Sequence, residues 1–91
     1  MQLADYFKAK RGRLSRVALA VGVQSGYLSQ VAAGTKKVMP RYVPAIERAT
    51  DFAVRCWELC PDDWHMIWPA VIGTEGAPPI PQAEEEARHA A

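Results

Sequence analysis

The sequence contains only two cysteines, Cys56 and Cys60, four residues apart. A tetrahedral zinc site needs four ligands, and even with His65 as a third there is no fourth at a suitable spacing. We therefore expect no metal site and no cofactor. A single cysteine pair does not build a disulfide framework either, so the expected state is two reduced, partly buried thiols.

Several other sequence signals are missing. No apolar run approaches the roughly 20 residues that span a bilayer, so no membrane segment is expected. The N-terminus MQLADYFKAKRGR lacks the apolar block of a signal peptide, which predicts a cytoplasmic protein. The chain has no glycine-rich phosphate loop, paired carboxylates or Ser–His–Asp set, and its histidines, His65 and His89, stand far apart. These absences predict that the protein is not an enzyme.

Acidic residues are scarce in the first half of the chain. Residues 1–50 hold nine Lys and Arg against Asp5 and Glu47, whereas residues 51–91 hold two basic residues and eight acids. The net charge of +1 therefore hides halves of +7 and −6. This asymmetry favours a surface that faces a polyanion such as nucleic acid, with plain solvated surface as the alternative.

Apolar residues recur at three- and four-residue steps, which predicts short helices. The pattern predicts helices over residues 2–10, 14–21, 25–33 and 41–50, with glycines ending the first three. Gln24 or Ser25 is expected to cap the third helix. Val54 and Arg55 form a predicted short extended segment, and a last helix over residues 62–68 has Asp62 as its predicted cap. The predicted fold is a compact all-α domain of four to five helices over residues 1–70.

The composition changes after residue 70. Residues 71–91 hold several Pro and Gly and an acidic run, and they have too few large apolar residues to bury. We expect a flexible acidic tail, in which AEEEARHA could form a helix if a partner docks on it.

Residues 14–34, LSRVALAVGVQSGYLSQVAAG, have the spacing of two helices that cross at a short corner. Ala18 is small where the helices cross, Gly22 can take a positive φ at the corner, and apolar Val23 follows it. The remaining inward positions are also aliphatic: Val17, Val21, Leu28 and Val31. The pattern predicts a helix-turn-helix, with a generic helical hairpin as the alternative.

On these residues, positions 2–50 resemble the lambda-repressor/Cro-like helix-turn-helix family. The resemblance depends on VALAVGVQSGYLSQVAAG at 17–34, followed by a basic loop and a further helix. PAIERATDFAV at 44–54 and ELCPDDWHMIWP at 58–69 are similar to small prophage-type Cro and YdaS-like antitoxin regulators, which tend to carry IERATGG and LRPDxW…WP segments.

The sequence departs from that pattern at two places. Asp51 and Phe52 replace a usual Gly pair, which removes the easy left-handed helix cap and puts a large apolar side chain in the core or an interface. Cys56 and Cys60 stand where Arg is usual, so phosphate contacts from this segment are doubtful.

The resemblance implies that the third helix enters the major groove of double-stranded DNA. The implied base-reading residues are polar but uncharged: Gln24, Ser25, Gly26, Tyr27, Ser29 and Gln30. Tyr27 could instead be half in the core. The implied phosphate contacts flank this helix in the sequence: Arg11, Arg13, Ser15, Arg16, Lys36 and Lys37.

The predicted function is a sequence-specific DNA-binding regulator, a Cro-like repressor or an antitoxin-like protein that binds an inverted repeat as a homodimer. The alternative is a protein-interaction module that keeps the helix-turn-helix as a scaffold and binds a partner, such as a toxin, through the tail or an aromatic surface. The candidate interface residues are Phe52, Trp57, Trp64 and Trp68, and the core is the alternative place for the tryptophans.

Overall fold

The computed structural model describes residues 1–80; residues 81–91, which include the segment AEEEARHA expected to form a helix only with a docked partner, lie outside the described residues. The described part contains helices and no strand, which confirms the predicted all-α fold. The described residues form six α-helices: α1 Leu3–Ala9, α2 Arg13–Val21, α3 Ser25–Ala33, α4 Val43–Ala49, α5 Cys56–Leu59 and α6 Trp64–Ile67. One 3-10 turn, Pro40–Tyr42, precedes α4, and a second, Pro69–Val71, follows α6.

The core lies where α2 packs against both α3 and α4. Ala18 is only 4% exposed, as its predicted place at the helix crossing requires. Seven other apolar residues with at most 2% exposure fill the centre: Val17, Leu28, Val43, Ile46, Val54, Cys56 and Trp64. The other predicted inward residues, Val21, Val23 and Val31, are half-buried against this core, so the predicted inward set is confirmed.

The corner between α2 and α3 has the predicted geometry. Gly22 has a φ of 87°, a left-handed conformation that costs a residue without a Cβ little. The carbonyl of Ala18 accepts hydrogen bonds from the N–H groups of Gly22 at 2.9 Å and Val23 at 3.0 Å. The chain therefore reverses within three residues, and α3 begins directly after Gln24.

Helix bounds differ from the prediction mainly after residue 39. The α4 helix begins at Val43, because Pro40 starts a 3-10 turn in which the Tyr42 N–H donates to the Met39 carbonyl. Of the predicted extended pair, Arg55 has extended angles, and α5, which the sequence does not predict, begins after it. The last helix is shorter than predicted and has Asp63, not Asp62, at its N-cap.

The predicted capping of α3 is wrong in one respect. Gln24 occupies the N-cap position, but its side chain makes no capping hydrogen bond, and Ser25 is already the first helical residue. Packing of Leu28 against the core, rather than a side-chain cap, therefore stabilises the start of this helix.

Asp51 and Phe52, at the end of α4, have left-handed backbone angles although neither is glycine. Their φ values are 54° and 61°. The Phe52 N–H donates to the Glu47 carbonyl at 2.7 Å, and buried Thr50 donates its hydroxyl to Ile46 and accepts the Val54 N–H. These bonds hold a conformation that costs about 1–2 kcal/mol per residue. The Phe52 side chain is 57% exposed, which excludes its predicted alternative place in the core.

Residues 71–80 are the described part of the predicted tail. Val71 and Ala77 are half-buried against the core, and the Thr74 hydroxyl donates to the Val71 carbonyl at 2.6 Å. A Cβ on Gly76 would lie 3.7 Å from the Trp57 ring, so the backbone passes close to that indole. The division of the chain into a domain and a flexible tail stays a prediction.

We expect Phe52→Gly to raise the free energy of unfolding by about 1 kcal/mol, because glycine adopts left-handed angles without strain. The larger backbone entropy that glycine loses on folding offsets part of this stabilisation. Urea denaturation of the parent and the variant measures the change. Ala53→Gly is the matched control, since Ala53 is not among the positive-φ residues and glycine there should destabilise. A Phe52→Gly variant that is less stable than the parent would contradict the inference that the Phe52 backbone is strained.

Candidate nucleic-acid interface

The helices α1 to α3 and the loop after them form a region without acidic side chains beyond Asp5. No Asp or Glu occurs between Asp5 and Glu47. Most basic side chains of this region are exposed: Lys8, Lys10, Arg11, Arg16, Lys36, Lys37 and Arg41. This stretch of the chain therefore combines an excess of positive charge with the helix that the sequence predicts to read DNA.

The α3 helix has one buried and one exposed face. Leu28 is fully buried, and Val31 and Ala32 are half-buried against the core. Five of the six predicted base-reading residues are exposed: Gln24, Ser25, Gly26, Ser29 and Gln30. Within residues 1–80 no protein hydrogen bond engages their side chains, so these polar groups are available to a ligand.

Tyr27 differs from the other predicted base-reading residues because it is half-buried. Its hydroxyl accepts a hydrogen bond from the Met39 N–H at 2.9 Å. Its ring packs edge-on against Tyr42, with 5.9 Å between centroids, and the Lys36 ammonium lies 5.3 Å from the Tyr27 centroid. Tyr27 thus connects α3 to the basic loop inside the protein, as its predicted half-core alternative requires.

A concavity of about 430 Å³ lies between the helix-turn-helix corner and the basic loop. Gln24, from the predicted base-reading set, lines it together with Lys36 and Lys37 from the predicted phosphate set. Val23, Tyr27 and Tyr42 provide apolar walls. The structure therefore brings members of both predicted sets to one surface depression.

The other predicted phosphate contacts lie near the start of α2. Arg11, Ser15 and Arg16 are exposed. The Arg13 guanidinium lies instead over the Tyr6 ring, 4.2 Å from its centroid, and its Nη1 donates to the Tyr6 carbonyl at 3.1 Å. Arg13 thus links α2 to α1, and its role in the fold competes with the predicted phosphate contact.

We expect Arg13→Ala to lower the free energy of unfolding by about 1–2 kcal/mol, because it removes a hydrogen bond and a cation–π contact between α1 and α2. The exposed Arg16 is the matched control, and Arg16→Ala should change stability by less than about 0.5 kcal/mol. Urea denaturation measures both variants, and equal effects would show that the Arg13–Tyr6 contact contributes nothing to stability.

The four candidate interface residues do not share one environment. Trp64 is 1% exposed and belongs to the core, which leaves it no surface for a partner. Trp57 packs edge-on against Trp64 at 6.0 Å and is half-buried, as is Trp68. Only Phe52 is largely exposed, so a partner surface at this end would consist of Phe52 and the outer parts of Trp57 and Trp68.

Arg55 and Glu47 organise this aromatic end, and the sequence does not predict their roles. The Arg55 guanidinium lies 4.4 Å from the Trp57 centroid and 5.8 Å from the Phe52 centroid. Its Nε donates to Glu47 Oε2 at 2.9 Å, and the same oxygen accepts the Cys56 N–H at 3.1 Å. Glu58, three residues after Arg55, accepts the Arg55 N–H through Oε1 at 3.1 Å, and this spacing is the one local sequence signal for the arrangement.

The two cysteines are free thiols on either end of α5. Burial raises the pKa of Cys56, with a further contribution from the Glu47 carboxylate, and burial also raises the pKa of Cys60, with a further contribution from Asp63. Residues 1–80 contain no group of three or more His, Cys, Asp and Glu side chains placed to hold a metal ion. Raised pKa values make both thiols weak nucleophiles at neutral pH.

The raised thiol pKa values predict how stability depends on alkaline pH. Thiols of the unfolded chain ionise near pH 8.5, so the stability that the protonated thiols contribute is complete below that pH. It is lost as pH rises through the higher pKa of the folded state. We expect the free energy of unfolding to fall more steeply above about pH 8.5 in the parent than in Cys60→Ala, as measured by urea denaturation. Parallel pH profiles would contradict this.

Comparison with known protein families identifies a match over most of the chain. The model of a family described as bacterial toxin YdaS matches residues 7–67, which run from α1 to the end of α6. No curated protein and no solved structure matches the chain. None of the helices in the described residues is both long and apolar enough to cross a membrane.

Proposed function

The chain belongs to the bacterial toxin YdaS family, and we propose that it is a sequence-specific DNA-binding regulator. Membership confirms the predicted resemblance to YdaS-like proteins and indicates a small prophage-type regulator or toxin–antitoxin-type protein. The likeness to lambda repressor and Cro stays a prediction. The observation that supports DNA binding is the exposed, uncharged polar face of α3, with exposed cations before and after it in the sequence and Lys36 and Lys37 beside Gln24.

In this proposal the exposed face of α3 enters the major groove and reads base edges. Gln24 and Gln30 can each make a bidentate pair with adenine N6 and N7, and Ser29 can donate or accept. A Cβ on Gly26 would meet nothing within 4 Å, so the open space beside it lets a base or the DNA backbone approach closely. Because this face has no Arg or Lys, bidentate reading of guanine is not expected.

Affinity in this proposal comes mainly from phosphate contacts at the edges of α3. Exposed Arg11 and Arg16 lie at the start of α2, and Lys36 and Lys37 follow α3. Such contacts release counterions and fix the register of the protein on the duplex without reading sequence. Binding should therefore depend strongly on salt while specificity resides in the uncharged residues.

A domain of this size presents one reading helix, which covers one half-site. We propose a cytoplasmic homodimer that places two α3 helices on an inverted repeat with half-sites about 34–36 Å apart, one helical turn of DNA. Phe52 is a candidate residue for the dimer interface, because its side chain is largely exposed.

A second candidate function, the binding of a protein partner such as a toxin, is favoured by one observation. A cleft of about 460 Å³ separates the basic loop from α5 and α6. Lys36 and Lys37 line it together with Asp62 and Asp63, and Val31, Leu59 and Ile67 contribute apolar surface. A partner in this cleft would cover the same lysines that the first proposal assigns to phosphate.

Selection of bound duplexes from random DNA tests the proposed function. The expected result is a motif of two inverted half-sites rich in A·T pairs, which gives sequence, symmetry and spacing together. If the protein binds random duplex DNA at low salt no better than a neutral protein of similar size, the proposal fails.

We expect Gln30→Ala and Lys36→Ala to have different effects on binding. Gln30→Ala should lose about 1–3 kcal/mol of discrimination at one base pair per half-site. Lys36→Ala should weaken binding to all duplexes equally. It should also reduce the slope of the logarithm of the binding constant against the logarithm of the salt concentration, the salt slope, by about one unit. Titrations with the selected site and with point-changed sites, at several salt concentrations, measure both.

Gln2→Ala is the matched control for Gln30→Ala, because Gln2 is an exposed glutamine at the start of α1. It should leave both specificity and salt slope unchanged. A uniform loss of affinity for every sequence in Gln30→Ala would assign Gln30 to the DNA backbone instead of a base.

A further inference from the structure

We propose that Tyr27 is a positioning residue that does not read a base. It holds the Lys36–Lys37 loop against α3, so that the two lysines can contact the DNA backbone. This inference rests on the proposed function and assigns one predicted base-reading residue a different task within it. It starts from the internal hydrogen bond of the Tyr27 hydroxyl and from the position of Lys36 over the Tyr27 ring.

The basic loop is fastened to α3 at both of its ends. At its start, the N–H and the hydroxyl of Thr35 both donate to the Gln30 carbonyl, at 3.1 and 3.2 Å. At its end, the Met39 N–H donates to the Tyr27 hydroxyl, which comes from twelve residues earlier in the chain. Val38 between them is buried in the core. Lys36 and Lys37 therefore lie on a short segment whose backbone has little freedom.

The ring of Tyr27 also fixes where the positive charge of Lys36 lies. The ammonium is 5.3 Å from the ring centroid, within the range of a cation–π contact. Tyr42 repeats the arrangement beside it, since the Arg41 guanidinium is 4.9 Å from the Tyr42 centroid and donates to its hydroxyl at 2.9 Å. Two neighbouring tyrosines thus each hold one cation.

This placement suits a phosphate of the DNA backbone. The concavity lined by Gln24, Tyr27 and Lys36 has apolar walls and cations on its rim, which matches a deoxyribose with its charged phosphate. Lys36 covers one face of the Tyr27 ring, and Tyr42 meets the ring edge-on. These contacts take up part of the ring surface inside the protein, and the part that remains lines the concavity beside Lys36.

The test is Tyr27→Phe, which keeps the ring and removes the acceptor for the Met39 N–H. Loss of one hydrogen bond should accelerate hydrogen exchange at the Met39 amide by about tenfold. Affinity for duplexes of any sequence should fall about threefold to tenfold, with the preferred bases unchanged. Tyr42→Phe is the matched control, because its hydroxyl accepts from Arg41 and its loss should leave the Met39 amide protected.

A mutant cycle with the Lys36→Ala/Lys37→Ala variant separates positioning from a general loss of stability. Because Tyr27 is proposed to act through these two lysines, Tyr27→Phe should weaken DNA binding little further once both are alanine. Equal losses in both backgrounds would overturn the proposal.

Two other outcomes would also overturn it, and they are distinguishable from failure of the proposed function. Unchanged Met39 exchange in Tyr27→Phe would show that the hydroxyl does not hold the loop. A changed preference at a single base pair would make Tyr27 a base-reading residue. In both cases the parent protein binds DNA, whereas a parent that binds no duplex refutes the proposed function and the DNA role of Tyr27 together.

Discussion

The close crossing of α2 and α3 at Ala18 is the constraint on which the candidate interface depends. Ala18 is buried, and its carbonyl accepts the N–H groups of both Gly22 and Val23, which closes the corner within three residues. A larger side chain at this crossing would separate the helices in a close-packed core. The crossing turns Leu28 inward, and this rotation leaves Gln30 and its polar neighbours on the solvent side.

The second half of the fold depends on longer-range polar contacts more than on helix length. Helices α5 and α6 have four residues each, too short to be stable alone. Glu47 joins α4 to α5 through its carboxylate contacts with Arg55 and the Cys56 N–H. Its carbonyl also accepts the Phe52 N–H, so one residue at the end of α4 supports both the strained corner and the next helix.

The sequence predicts the first three helices, their corners and the exposed face of α3 well, because these features depend on apolar spacing and on glycines close in the chain. It does not predict α5, since four residues are too few for a helical period to appear. The contacts of Arg13 with Tyr6 and of Tyr27 with Met39 join residues seven and twelve positions apart, and no local pattern specifies them. A charged or aromatic side chain looks free in the sequence until its tertiary neighbour is known.

The exposed polar side chains of α3 lie outside the core, which affects how the protein can evolve. Exchange of Gln24, Ser29 or Gln30 removes no buried contact, so the fold tolerates many alternatives at these positions. In the proposed function, the cations that attract any duplex lie on other segments and remain through such exchanges. On that proposal, copies of this gene can diverge toward different target sites by substitutions on a single helical face, with the fold and the general affinity for DNA kept throughout.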